Sequence, residues 1–563
     1  MTSEPHPAPF RMPERLFAEL ATGGGSAEAV DFLVRGERAR RLLLLRTLLD
    51  RLEAVPTPLT PAAEAWRIVK EAAERAPETV ERLLLAPTTG GWIAHMLRRV
   101  HGTATGPPLW AEAGHLCALA VSASLGSGTD AELRVALTDG ALYLPGLGLA
   151  RLPPGAPGWT IAHAHTHAGE LTLKGTGPAR GGASRSVVRC RPGTGDVAAD
   201  PGAAAPWLPL RTLTHSTPHG PVAIPLDDLD PYRDLDDPVP PARLDPAEAG
   251  AWQSLFGEAA AFLAAPGGSG PGRFDPAWIR AVVPWGRTSR TPPAPPTVLV
   301  SASSGDSFGA MLISRPATAL PLAEAMVHEF QHSKLGALLH LFPLVDDDRA
   351  ERYYAPWRGD PRHLTGLLHG AYAFTAVAGF WRDRMSDPVH ADTAAYHFAL
   401  RRLQSRLVVR TLLTSGRLTA PGHRLVTGLA RTLDDWLREP VRPAALTRAR
   451  TAAALHRTEW RLRNVLPGPR EGHPALRADR HPWPDRRTHA FATVSAGPRT
   501  ADDHLAAADP ATALDLYRAA LDRDPADPHT LAGWIVARAA LAPGQAARRL
   551  LARPELLQPQ PSG

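Results

Sequence analysis

The chain has 563 residues, of which 44% are apolar, enough for a large buried core and roughly two to four domains or subdomains. Its net charge of +6 is spread along the chain with acidic residues interleaved, which argues against the clustered basic face of a nucleic-acid binder. Two cysteines, Cys117 and Cys190, exclude a disulfide framework and a thiolate metal cluster and fit a reducing cytosol.

Met1 to Arg15 carries Pro, Glu and Arg where a secretory signal needs an apolar stretch, and Arg46 breaks the leucine run Leu42 to Leu49. The expectation is a cytoplasmic protein with no membrane partner. From Pro13 to about Leu125, apolar residues such as Leu16, Leu20, Trp66, Val69, Trp92 and Leu97 recur at helical spacing, predicting an all-helical region over 1–130. From 131 to 244 the texture changes to short alternating runs, such as Leu133 to Leu137 ahead of Asp139-Gly140, and predicts a β-rich insert. Within that insert His163, His165 and His167 alternate, so a strand would put all three on one face, most simply a solvent face.

Helical patterns resume at Pro246 to Leu263 and Ala277 to Val282, and Thr297 to Ser301 with Ala310 to Ser314 read as two strands joined by a turn. Leu320 to Leu341 and Leu364 to Arg382 read as helices, followed by helices over about 392–413, 424–437 and 444–464. These place a catalytic core at 245–466. A linker rich in Pro, Gly and Arg over 467–500 and a helical, partly tetratricopeptide-like segment over 501–563 complete a mostly helical α+β chain.

The chemistry concentrates in His328-Glu329-Phe330-Gln331-His332. Residues four apart on a helix lie about 6 Å and about 40° apart, so His328 and His332 present two imidazoles to one metal ion. The flanking residues Leu322, Met326, Val327, Phe330 and Leu335 predict burial, and buried imidazoles need partners. A long-spaced metalloprotease pattern would need Gly at 335 and His at 338, and both are Leu. His340 lies about 12 Å along the axis from His332, too far to share an ion. His369, in the middle of the next helix, is the better third ligand, and Glu351 is its rival.

The segments Asp306 to Ala310, Ser314-Arg315-Pro316 and Val327 to Leu335 resemble the HExxH-motif family of bacterial peptide-modifying proteins. So do Tyr353 to Arg358, Asp360-Pro361-Arg362, Gly366 to Phe374, His456-Arg457, Trp460 to Asn464 and Arg41 to Leu49, so the resemblance covers roughly 10–465. It implies iron(II)- and 2-oxoglutarate-dependent β-hydroxylation of a ribosomally made precursor peptide. On this reading His328, His332 and His369 hold the iron, leaving coordination positions for 2-oxoglutarate and dioxygen. Glu329 then orients a ligand or a water. The far carboxylate of 2-oxoglutarate calls for an arginine fork, for which Arg358 and Arg362 are favoured, while Tyr354, Tyr372, His456, Arg457 and Arg461 are candidates for the pocket wall. The rival readings are a zinc metallopeptidase with Glu329 as general base and a peptide-binding scaffold with a structural metal.

Overall fold

The computed structural model describes residues 11–152, 157–175, 187–191, 206–217, 220–235, 237–264, 268–285, 300–468, 475–478 and 491–557. Helix accounts for 54% and strand for 14%, which makes the chain α+β and mostly helical. It divides into two compact units: Asp31–Ala265 with Asp275–Ala337, and Met1–Val30 with Pro266–Phe274 and Leu338–Gly563.

The N-terminal stretch forms α1 (Glu14–Ala21), α2 (Ala27–Leu52), α3 (Ala62–Arg75), α4 (Pro77–Leu85), α5 (Pro87–Val100), α6 (Leu109–Ala113) and α7 (His115–Ser127). Pro77 and Pro87 open α4 and α5 at the first helical position, where a missing N–H costs nothing. Helix α7 is buried from His115 to Ser124, because it lies between α3 and a sheet.

That sheet holds β1 (Ala131–Thr138), β2 (Ala141–Leu144), β3 (Gly148–Arg151), β4 (Trp159–His167), β5 (Glu170–Gly175), β6 (Val187–Cys190) and β7 (Trp207–Pro209). Its order is β6-β5-β4-β1-β2-β3-β7, every pairing antiparallel. The β1–β2 hairpin turns at Asp139 (φ 50°) and Gly140 (φ 74°), two left-handed residues in a row, as a tight turn between twisted strands requires. In β4, Ala164 and Thr166 are buried while His163, His165 and His167 are exposed, so one face packs and the other meets solvent.

A second, five-stranded sheet runs β11-β12-β10-β9-β8, from β8 (Arg211–Thr217), β9 (Gly220–Leu226), β10 (Ala281–Pro284), β11 (Ser301–Ala302) and β12 (Ala310–Ile313). Helix α8 (Pro246–Ala264) separates β9 from β10 along the chain and packs on β8. Strand β10 corrects the helical reading of Ala277 to Val282: helix there stops after a single 3-10 turn, Pro276–Trp278. Val282 and Val283 are β-branched, Pro284 disfavours continued helix, and parallel pairing with β9 and β12 buries all four strand residues. The strand foreseen over Thr297 to Ser301 is observed as Ser301–Ala302, and 297–299 lie outside the described residues. Helix α9 (Ala319–Leu341) follows β12 directly.

The other unit is built on α10 (Leu364–Arg382), α11 (Ala391–Leu413), α12 (Ala420–Arg438) and α13 (Pro443–Asn464), with α11 packed against the other three. Helices α14 (Ala501–Ala506), α15 (Pro510–Leu521), α16 (Pro528–Leu541) and α17 (Gln545–Ala552) follow. Tyr396 and Leu400 of α11, Leu455 of α13, Phe491, Tyr517 and Ile535 share one buried cluster. No helix among the described residues is long and apolar enough to cross a membrane.

Candidate metal centre

Helix α9 is buried on almost every side. From Leu322 to Leu338, only Glu324, His328 and His332 are partly exposed, and the other residues are buried. Positions i, i+4 and i+8 form one stripe, so this stretch of the helix opens to solvent along the line that carries the two histidines. An apolar sequence therefore forces both imidazoles into a single partly desolvated window.

The two Nε2 atoms stand 3.0 Å apart and the rings meet edge to face, their centroids separated by 4.7 Å. A hydrogen bond between the rings or a shared ion satisfies that separation. Ligand atoms of His328, Glu329 and His332 all lie within 4.8 Å of one another.

Glu329 is 1% exposed. Burial pushes its carboxyl above the usual carboxylate range, against hydrogen bonds from Ser301 and Ser303. The Ser301 hydroxyl donates to Glu329 Oε1 at 2.6 Å, tying β11 to α9. The turn before β12 is fastened to the same helix by the Gly309 N–H, which donates to Ser333 Oγ at 3.1 Å. Gly309 sits at φ 81°, where a side chain would be strained. Trp278 stacks on Phe330 at 5.7 Å beneath the helix. Lys334 is buried too, and desolvation lowers its ammonium to about 7.

Sequence reasoning missed Ser301, Ser333, Trp278 and Lys334. The alternation Ser301-x-Ser303 just before the helix was the available signal for the first, since alternate residues of an extended segment share one face.

The remaining candidates belong to the other unit. His369 lies on α10, and burial, with His363 and Arg362 nearby, lowers its imidazole to about 4, so it is neutral at pH 7 and able to act as a ligand. His363 caps the start of α10 and pairs with Asp347 at 2.6 Å. Arg358 and Arg362 both face Asp360, at 2.8 and 3.6 Å, so that carboxylate already engages the proposed fork. Tyr372 is fully buried, and its hydroxyl donates to the Leu20 carbonyl at 3.0 Å. The Tyr354 hydroxyl lies 2.9 Å from His456 Nδ1, and its ring meets Trp460 edge-on. Arg457 and Arg461 line the same cleft as Tyr354 and Trp460. Glu351 is exposed.

The chain matches no protein-family model and no curated protein.

Proposed function

We propose that this protein is an iron(II)- and 2-oxoglutarate-dependent hydroxylase of a ribosomally made peptide, with His328 and His332 as metal ligands. The observation that carries the metal reading is the 3.0 Å between His328 Nε2 and His332 Nε2. Two nitrogens each about 2.1 Å from one ion stand about 3.0 Å apart at right angles and about 3.4 Å apart at a tetrahedral angle. The observed separation is near both values, so it supports a shared ion, and the choice of iron(II) over zinc rests on the resemblance of the motif segments. Neutral imidazoles suit iron(II), and the solvent-open stripe on α9 leaves room for further ligands.

When bound, iron(II) with 2-oxoglutarate and dioxygen supplies the chemistry that converts a C–H to a C–OH while 2-oxoglutarate leaves as carbon dioxide and succinate. The chain's own residues position and shield. Phe330 and Trp278 keep the inner side of α9 dry, and Ser301 holds Glu329 in place. A glutamate so held fixes α9 against β11. The peptide substrate and the family itself rest on the resemblance of the motif segments, and the cytoplasmic location on the two cysteines and the polar N-terminal stretch.

Cobalt(II) loaded into metal-free protein tests the site. The expected spectrum is the weak visible absorption of a six-coordinate ion, perturbed when 2-oxoglutarate is added. Intense tetrahedral bands that 2-oxoglutarate leaves unchanged contradict the proposal.

A further inference from the structure

Between α11 and α13 lies a cleft of about 480 Å³, counting its open mouth, lined by Tyr354, Leu407, Arg410, Thr411, Arg457, Trp460 and Arg461. Three guanidiniums face one small space. Arg461 is engaged by Glu555, with two hydrogen bonds of 2.9 and 2.6 Å. Among the described residues, neither Arg410 nor Arg457 has a carboxylate within ion-pair distance, whereas Arg406 and Arg448 on the same two helices pair with Asp434 and Asp392. The side-chain charges acting on Arg457 are Arg461 and Arg410, both repulsive, together with the Tyr354 hydroxyl. Arg410 and Arg457 are both exposed, so solvent screens part of their mutual repulsion, and an anion held between them would relieve the rest.

The geometry points to this cleft as a binding site for a small oxyanion, the terminal carboxylate of an organic acid or a free phosphate. Arg410 and Arg457 come from facing helices and bracket the site, and a guanidinium fork matches either oxyanion with paired hydrogen bonds. Arg461, held by Glu555, is a fixed wall rather than a mobile cation. Thr411 adds a hydroxyl, and Tyr354 is oriented by its contact with His456. Leu407 and Trp460 give one side an apolar surface suited to a short carbon chain, which favours an organic acid over phosphate. The cleft lies within the unit that holds 338–563, and the histidine pair belongs to the other.

Titrations of metal-free full-length protein with succinate, 2-oxoglutarate and inorganic phosphate, by calorimetry at low ionic strength, test the site. Succinate or 2-oxoglutarate is expected to bind, with affinity reduced at least tenfold in Arg457→Gln and in Arg410→Gln. Arg457→Lys should recover part of the loss. Arg438→Gln, which removes the same charge from the α12 surface, should stay within about twofold of the parent. Binding of the organic acids alone assigns the cleft to a carboxylate, and equal binding of phosphate assigns it to oxyanions in general. Melting curves of the two glutamine variants separate lost binding from lost folding. If none of the three anions binds, or if Arg457→Gln binds as the parent does, the inference is overturned.

Discussion

Replacing Ser301 by Ala removes one hydroxyl, and the structure states what that hydroxyl does. It donates at 2.6 Å to Glu329 Oε1, on a residue 1% exposed, whose carboxyl burial already pushes upward. A hydrogen bond to a charged group is worth about 1.5–3 kcal/mol, and a buried acceptor left unpaired bears most of that loss. Ser301→Ala is therefore expected to destabilise metal-free protein by about 2 kcal/mol at pH 7.5, read from urea unfolding. In the Glu329→Gln background the same change removes only a neutral contact and should cost under about 1 kcal/mol. The double-mutant cycle then gives a coupling of about 1–2 kcal/mol. Costs that add to within about 0.5 kcal/mol would refute the reasoning that β11 is fastened to α9 through this pair.

His328→Ala and His332→Ala should each weaken divalent-ion binding by more than about 100-fold, since even residues behind the ligands cost 10- to 100-fold. His340→Ala, exposed on the same helix, should leave it unchanged, and equal behaviour of all three in equilibrium dialysis would remove the pair from the metal site. Asp230, buried beside Asp227, has its carboxyl raised by desolvation and by that neighbour to about 7. Between about pH 4, where the unfolded carboxyl releases its proton, and about pH 7, the folded chain binds more protons, so its contribution to stability falls as pH rises through that window. The melting temperature of Asp230→Asn should vary less across that range than the parent's, and an unchanged slope would refute the assignment. At Gly370 an added Cβ would stand 2.0 Å from Trp357 Cζ2. The clash should outweigh the roughly 1 kcal/mol gained in helix propensity, so Gly370→Ala should lower the melting temperature, and a rise would show that Trp357 moves aside freely.

Helix was legible wherever the apolar period was long and its ends were marked. Helix α10 runs Leu364–Arg382 as read from the sequence, and α9, α11 and α13 begin within a residue of their expected starts. The exposed histidine face of β4 followed from alternation alone. Strand β10 was missed because Ala281 to Pro284 is apolar without alternation, a pattern that a doubly buried parallel strand shares with a helix turn. The sheet beside the metal motif was hidden for a different reason: it pairs β9 with β10 across the whole of α8, and local pattern carries no information about such pairings. Within the site, the two histidines were visible through their spacing. The Ser301–Glu329 bond was not, because it depends on where a two-residue strand lands against a helix.

The most direct test of the account is the fate of the peptide substrate. Protein reconstituted anaerobically with iron(II) and 2-oxoglutarate is mixed with a ribosomal precursor peptide of the proposed substrate class and then exposed to air, with masses read before and after. The account predicts a gain of one oxygen atom by the peptide with equimolar succinate, lost in His332→Ala. A peptide cleaved in the presence of zinc, or one left unchanged with either metal, would contradict it.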